Sequence, residues 1–112
     1  MIGKEELQRL SFSIILHAGN ARSLSMEAIS KARVNQIEEA RNMIGEAETE
    51  FTEAHHLQTK LLQQEAEGKH TEVSVILVHA QDHLMTALTV KDLAIEMIHM
   101  YEKIKKIEEE KC

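Results

Sequence analysis

The chain contains no proline, only four glycines among its 112 residues, and 3% aromatic residues. An all-β fold needs glycine and proline in its turns, and aromatic or β-branched residues along its strands. These shortages therefore exclude an all-β fold. Hydrophobic residues make up 43% of the chain and recur at steps of three and four, which predicts an all-α protein.

The cysteine content and the charge narrow the class of protein further. The single cysteine, Cys112, excludes an internal disulfide, and a reducing cytoplasm is the simplest location for such a chain. The sequence has neither a secretory signal pattern nor an apolar run long enough to span a bilayer, so direct membrane insertion is not expected. The formal charge of −6 argues against nucleic acid as a partner.

Apolar periodicity divides the chain into helices at about residues 4–33, 37–67 and 73–107. The first pattern lapses near Asn35, which suits a left-handed turn residue, and Gly68 suits the end of the second helix. The connections between the helices are short. A single domain of all 112 residues is therefore expected to form an antiparallel, up-down-up three-helix bundle.

The third predicted helix is apolar on several of its faces. Two neighbouring helices of the same chain cannot cover all of that surface, so oligomerisation is expected. One of its rows, at steps of three and four residues, consists of Val75, Val78, Asp82 and Met85. The same helix carries His79, Asp82 and His83 on one side, so the functional site is expected here.

His79 is the first candidate for chemistry. A lone histidine on a helix is usually structural, but this one lies close to Gln81 and Asp82. Hydroxyl groups flank it at Ser74 and Thr86. A neutral imidazole is a good nucleophile near pH 7, because the ordinary pKa of histidine is about 6.5. Phosphoryl transfer depends mostly on positioning and charge stabilisation, so composition and spacing permit His79 to accept a phosphoryl group.

Asp82 is an unusual residue for the apolar row that contains it. If that row is buried, the carboxylate is buried too, and an unpaired buried charge is very costly. No lysine or arginine lies between residues 70 and 90. In one solution, three copies of Asp82 meet at a threefold axis and share a proton or a divalent cation such as Mg²⁺. Spacing alone favours the simpler alternative, in which Asp82 pairs with a residue of another helix.

An alternative hypothesis is that His79, Asp82 and His83 together form a metal site. Two histidines and one carboxylate at these spacings can bind one metal ion from a single helix. The chain would then be a helical metal-binding protein. Such triplets also arise by chance in helical chains with seven histidines, so spacing alone gives this reading little weight.

The block Leu77–Thr86 reads Leu-Val-His-Ala-Gln-Asp-His-Leu-Met-Thr. It resembles the IIA component of the lactose/cellobiose class of the bacterial phosphoenolpyruvate-dependent sugar phosphotransferase system. The stretches Gly19–Leu24, Glu53–His55 and Gln58–Leu61 resemble other parts of the same family, so the similarity covers almost the whole chain. Ala80, where other members have glycine, is closer to the cellobiose and N,N′-diacetylchitobiose members than to the lactose members.

The resemblance implies a phosphohistidine carrier. His79 would accept a phosphoryl group from the phosphocarrier HPr and pass it to a cysteine of the cognate IIB component. This transfer would serve the uptake of a β-linked disaccharide of the cellobiose or chitobiose type. Gln81 matches a residue beside the active histidine. The further candidates for supporting residues are His83, Thr86 and Gln58.

The resemblance also implies an assembly of three chains. Each protomer of the homotrimer would be a three-helix bundle, and Asp82 matches the acid that gathers around a metal ion at the trimer axis. Mg²⁺ is the expected ion, since all its ligands would be oxygen atoms. The chain departs from the family pattern at the first turn, where Asn35-Gln36-Ile37 replaces a Gly-Asp/Asn-Phe pattern. This departure concerns the turn and not the site.

Overall fold

The computed structural model describes residues 3–111, and this range contains three α-helices and no strand. Helix α1 spans Lys4–Arg33, α2 spans Ile37–Ala66 and α3 spans Val75–Glu110. Together they form a rod with extents of 64 × 21 × 19 Å. The predicted all-α class and three-helix architecture are confirmed. No helix in the described range is long and apolar enough to cross a membrane.

Polar contacts between the helices show the relative direction of adjacent helices. Between α1 and α2, the contacts are His17 Nδ1 to Glu50 Oε2 at 2.6 Å and Lys31 Nζ to Glu39 Oε1 at 3.7 Å. Between α2 and α3, the contacts are Arg41 to Glu102 and Gln58 to Gln81. In both helix pairs, α1–α2 and α2–α3, the residue numbers rise along one helix as they fall along the other, so the two helices of each pair are antiparallel. The bundle is therefore up-down-up, as the short connections predict.

The local chemistry of the connections sets the helix boundaries. Asn35 has φ 68°, which confirms the predicted left-handed turn residue, and Gly68 has φ 86° just after α2. Ser74 caps α3, since its hydroxyl oxygen accepts a hydrogen bond from the Leu77 N–H at 3.2 Å. Helix α3 therefore begins at Val75, two residues after the predicted start.

The charge run Lys105–Lys111 predicts that the end of α3 frays, but the helix continues to Glu110. Lys106 lies four residues from both Glu102 and Glu110, at spacings that stabilise helical backbone. The Arg41 guanidinium binds Glu102 and holds the pKa of that carboxyl below its usual range. These charged contacts explain why this prediction was wrong.

The core of the bundle is built largely from small side chains, which allow the helices to approach closely. The fully buried alanines are Ala18, Ala21, Ala28, Ala32, Ala40, Ala47, Ala54, Ala80, Ala87 and Ala94. Ile14 and Leu84 are the largest side chains buried completely. They belong to the part of the core that lies beneath the first half of α3.

The apolar row of α3 that contains Asp82 lies outside this core. Val75 is 88% exposed, Val78 49% and Met85 52%. Within one chain, α1 and α2 therefore cover only part of the apolar surface of α3. The uncovered row runs past the residues that the sequence marks as functional.

Candidate functional site

His79 lies in the second turn of α3, and its side chain is exposed. Side chains of an α-helix lean towards its N-terminus, so the imidazole is tilted towards the first turn. The N–H groups of that turn carry partial positive charge. The first turn of α3 contains no acidic residue that would oppose an added anion. This end of the helix therefore suits a negatively charged group on His79.

The basic side chains of α3 lie far from His79. After Lys69, which precedes the helix, the next lysine or arginine is Lys91. Its ammonium group lies 5.0 Å from the ring centroid of Phe51 on α2. Twelve residues separate Lys91 from His79, which is about 18 Å along a helix. An anion on His79 would thus depend on backbone N–H groups rather than on a cation of α3.

The ring of His83 contacts the ring of His79 from the next turn of the helix. The two ring centroids lie 4.5 Å apart, and the ring planes meet at 87°, an edge-to-face arrangement. His83 is half-buried, whereas His79 is exposed. Thr86 is exposed, and it lies two turns beyond His79 on the same side of α3. The structure thus brings His83 directly to His79 and places Thr86 further along the same face.

Asp82 is exposed in the single chain, between Val78 and Met85 on the uncovered row of α3. Within residues 3–111, its carboxylate has neither an ion pair nor a hydrogen bond with another helix. The simpler alternative drawn from spacing, pairing with a neighbouring helix, was therefore wrong. Asp82 does not pair with a neighbouring helix because the rotation of α3 turns this row away from α1 and α2.

The metal site drawn from the spacing of His79, Asp82 and His83 is not formed by one chain. No group of three histidine, cysteine, aspartate or glutamate side chains in the described range is arranged to hold a metal ion. The rings of the two histidines instead pack edge to face. The reading as a metal-binding protein based on these three residues was therefore wrong.

Gln58 and Gln81 form an amide pair between α2 and α3. The Gln58 Nε2 group donates a hydrogen bond to Gln81 Oε1, and both side chains are half-buried. Buried amides are costly unless they are paired, so this contact explains how a polar residue is accommodated on the apolar stripe of α2. Positions two apart on a helix do not face each other, so Gln81 does not face His79 of its own chain.

Two exposed apolar residues of α1 were missed by the sequence analysis. Phe12 is 60% exposed and Leu16 is 59% exposed. They fall outside the alanine-rich stripe that predicts the buried face of α1. The available signal was the run from Leu10 to Leu16, seven residues without a charge. An uncharged run on a helix whose buried face is already complete indicates a surface that contacts another molecule.

Comparison with known proteins matches the model of the family described as "PTS system, Lactose/Cellobiose specific IIA subunit" to residues 9–102. The lichenan-specific phosphotransferase enzyme IIA component of Bacillus subtilis (strain 168) is 54% identical over 100 residues, covering 89% of this chain and 91% of the relative. The N,N′-diacetylchitobiose-specific EIIA component of Escherichia coli (strain K12) is 41% identical over 102 residues, covering 90% and 87%.

Solved structures give the same result for the fold. The PTS cellobiose-specific enzyme IIA from Bacillus anthracis superposes with a TM-score of 0.88 at 46% identity, covering 95% of both chains. A chain of the IIA(chitobiose)–HPr complex of Escherichia coli superposes with a TM-score of 0.77 at 36% identity, covering 88% of this chain and 96% of that one. With the family match over residues 9–102, these similarities show that the chain belongs to the lactose/cellobiose-specific IIA subunits of the sugar phosphotransferase system.

Proposed function

We propose that this IIA component carries a phosphoryl group on His79, which it receives from HPr and passes to a cysteine of the cognate IIB component. The transported sugar would be a β-linked disaccharide of the cellobiose or chitobiose type. The observation that carries the proposal is the exposed imidazole of His79 near the capped, electropositive N-terminus of α3. A relative at 36% identity whose solution structure is a complex with HPr supports the choice of donor.

The first chemical step is the attack of a neutral His79 nitrogen on the phosphorus atom carried by HPr. A nitrogen–phosphorus bond forms at His79 as the bond between phosphorus and the donor atom of HPr breaks. The phosphoryl group adds about −1.5 to −2 charges at pH 7. The N–H groups of the first turn of α3 that Ser74 does not cap would stabilise this charge, because they are the remaining donors of the helix N-terminus.

The second step returns His79 to its starting state. The thiolate sulfur of a IIB cysteine attacks the same phosphorus atom, and a sulfur–phosphorus bond forms as the bond to His79 breaks. The imidazole leaves as a neutral ring. Both steps are displacements at phosphorus that use the same exposed nitrogen, first as the nucleophile and then as the leaving group, so the site needs access for two proteins in turn. The exposure of His79 meets this requirement.

Apolar residues beside His79 fit a surface on which these partners dock. Val75 lies on α3 one turn before His79, at the end of the uncovered row, and is strongly exposed. Phe12 and Leu16 of α1 lie at the same end of the bundle, because α1 and α3 run in the same direction. Aromatic and apolar side chains are the usual centres of protein interfaces. Docking through these residues would bring phosphorus to the exposed histidine.

We propose further that the protein is a homotrimer held together by the uncovered row of α3. Three parallel copies of this row would bury Val78 and Met85 and would bring three Asp82 carboxylates to one axis. One chain offers a single carboxylate there, so any metal site needs several copies. Three carboxylates are ligands that suit Mg²⁺, which would neutralise their mutual repulsion. The ion would serve assembly, whereas His79 performs the transfer.

The remaining site residues take supporting roles in this proposal. The Gln58–Gln81 amide pair holds the first half of α3 against α2 and so sets the direction in which His79 emerges. Thr86 offers a hydroxyl on the same side of α3, within reach of a docked partner. His83 supports the His79 ring directly through the ring contact.

The function is tested by incubating the protein with phosphoenolpyruvate, enzyme I and HPr, followed by intact-mass analysis. One acid-labile phosphoryl group should be gained per chain. His79→Ala should abolish the gain without loss of helicity, which circular dichroism checks. His56→Ala, a change at an exposed histidine of α2, is the matched control and should leave the gain intact. If label persists in His79→Ala and maps to His55 or His83, the assignment of the acceptor is wrong.

A further inference from the structure

The ring of His83 is the group that can fix the orientation of the His79 ring. Within residues 3–111, the His79 ring makes no hydrogen bond, and its ring contact is with His83. We propose that His83 is a positioning residue, which holds the phosphoryl-acceptor ring in one orientation by edge-to-face packing. The inference rests on the proposed function, since it assigns a role beside the same acceptor.

The geometry of α3 places the two rings in contact. His83 follows His79 by four residues, and such pairs are neighbours on a helix surface. Side chains in a helix point back over the preceding turn, so the His83 ring covers the position of His79. The centroid distance of 4.5 Å and the angle of 87° are those of a favourable edge-to-face pair. The contact therefore has the geometry of a packed aromatic pair.

The difference in burial decides which ring positions the other. His83 is half-buried, so the surrounding bundle restricts its rotamers, whereas His79 is exposed. An exposed histidine without a hydrogen bond turns freely about its side-chain bonds unless a neighbour blocks the movement. The half-buried His83 ring therefore limits the rotation of the exposed His79 ring.

Orientation matters here because the reaction is a displacement at phosphorus. The attacking nitrogen must lie in line with the bond that breaks, and rotation of the His79 ring moves this nitrogen away from that line. A misplacement of about 1 Å can lower a rate by about 100-fold. A ring that samples several orientations spends only part of its time in the reactive one. His83 would raise the rate by increasing that fraction.

Two substitutions separate packing from the other properties of histidine. His83→Phe retains a ring that can pack edge to face, but it can neither titrate nor form a hydrogen bond. His83→Ala removes the ring. In phosphoryl transfer from phosphorylated HPr, we expect His83→Ala to lower kcat by about tenfold with KM nearly unchanged, whereas His83→Phe stays within about threefold of the wild type. His56→Ala, on another helix, should behave as the wild type.

A second measurement reports the ring itself and does not depend on phosphorylation. Carbon-13 relaxation of the His79 ring in the unphosphorylated protein gives an order parameter. It should fall in His83→Ala and remain at the wild-type value in His83→Phe. If this pattern is found in a protein that HPr fails to phosphorylate, the positioning of the ring stands and the proposed function fails. Equal ring order in the wild type and His83→Ala would overturn the inference, as would a His83→Phe variant as slow as His83→Ala.

Discussion

Helices α2 and α3 are neighbours in the bundle, but they expose very different side chains. Among the described residues of α2, one large apolar side chain is strongly exposed, Leu62 at 60%. Most of the other exposed positions of α2 are charged or polar. On α3 the exposed large apolar side chains are Val75, Val78, Met85, Leu93, Met97, Met100, Ile104 and Ile107. The two helices share a core and differ on their outer faces.

The outer face of α2 is suited to contact with water, whereas the outer face of α3 is suited to contact with another protein surface. A helix with one apolar stripe buries that whole stripe when it packs at the surface of a bundle, and α2 has this pattern. A helix that is apolar on several sides needs a further partner, and α3 has that pattern along its whole length. The proposed acceptor His79 lies at the edge of this uncovered face. The proposed trimer interface and the proposed phosphoryl acceptor therefore lie on the same helix.

The largest effect is expected from a charge placed on the uncovered face of α3. Met85 is 52% exposed in one chain, so Met85→Glu should leave the protomer folded. In the proposed trimer each glutamate would be buried close to the three Asp82 carboxylates, which repel it. Such a burial costs about 3 kcal/mol or more, which weakens association by at least about 100-fold. Sedimentation at micromolar concentration should then show monomers.

The same substitution on α2 is the matched control. Leu62 is exposed to a similar degree, so Leu62→Glu introduces the same charge on the other helix. It should leave the trimer intact. Dissociation by both substitutions would show that the interface extends beyond α3, and a monomeric wild type would remove the basis of the proposal.

The second effect concerns Asp82 and the metal. Asp82→Leu removes a carboxylate from the axis of the proposed trimer and adds apolar volume between Val78 and Met85. Replacing a buried ionic group with a packed apolar one is often neutral or stabilising by about 1–4 kcal/mol. The variant should remain trimeric, contain no divalent cation in elemental analysis, and retain most of the phosphorylation at His79. Chelators should weaken the wild-type trimer and leave the variant unchanged.

Two results would contradict this account of Asp82. Loss of phosphoryl transfer in a folded, trimeric Asp82→Leu variant would make the aspartate part of the transfer site. A wild-type trimer that contains no metal and ignores chelators would leave the repulsion between three carboxylates unrelieved by a cation. The role of Asp82 in assembly would then need protonation or a partner from a neighbouring protomer.

The fold could be predicted from the sequence because its signals are local. Apolar residues at steps of three and four mark all three helices, and the left-handed conformation of Asn35 was expected from its side chain. The start of α3 was missed by two residues, because the apolar Val73 hides the capping role of Ser74. The helix also continues beyond its predicted end, because a charge run resembles a frayed end although its i, i+4 pairs stabilise helical backbone.

The site was predictable in its residues but not in its contacts. The block around His79 marked the helix, yet the partner of Gln58 depends on the register between α2 and α3, which no local pattern reports. No local pattern reports the rotation of α3 about its own axis either. It decides that Asp82 faces away from α1 and α2 and that His83 is half-buried while His79 is exposed. Long-range packing sets these properties, so the sequence left several arrangements open.

A smaller effect is expected from the two mid-helix glycines, Gly19 of α1 and Gly45 of α2. A methyl group added at either position would meet no heavy atom within 4 Å. Glycine in a helix costs about 1 kcal/mol relative to alanine, so each alanine variant should raise the free energy of unfolding by about that amount. Chemical denaturation measures this change.

The pair also extends the comparison to α1. Gly45 lies on the polar outer face of α2, and Gly19 lies near the exposed Phe12 and Leu16. If Gly19→Ala is destabilising or slows transfer from HPr while Gly45→Ala is simply stabilising, the surface at Gly19 is covered by another protein molecule. Equal behaviour of the two variants would show that α1 is open to solvent at this point.

The smallest effect concerns the connection between α2 and α3. The Glu65 carboxylate accepts hydrogen bonds from His70 Nδ1 at 3.0 Å and from the Thr71 N–H at 3.4 Å. The hydrogen bond from His70 holds the pKa of Glu65 below its ordinary value of about 4.5. A carboxyl group whose pKa is lower in the folded protein stabilises it above the unfolded pKa, and this contribution is lost as the pH falls through the folded pKa.

Glu65→Gln should therefore lower the melting temperature slightly at pH 6, with the difference from the wild type disappearing as the pH approaches 3. Glu65 is more than half exposed, so solvent screening keeps the effect small. Glu48→Gln, at an exposed position in the middle of α2, is the control for the loss of one negative charge. A difference between wild type and Glu65→Gln that stays constant from pH 6 to pH 3, or that equals the Glu48→Gln difference, would mean that the contacts of Glu65 do not hold this connection.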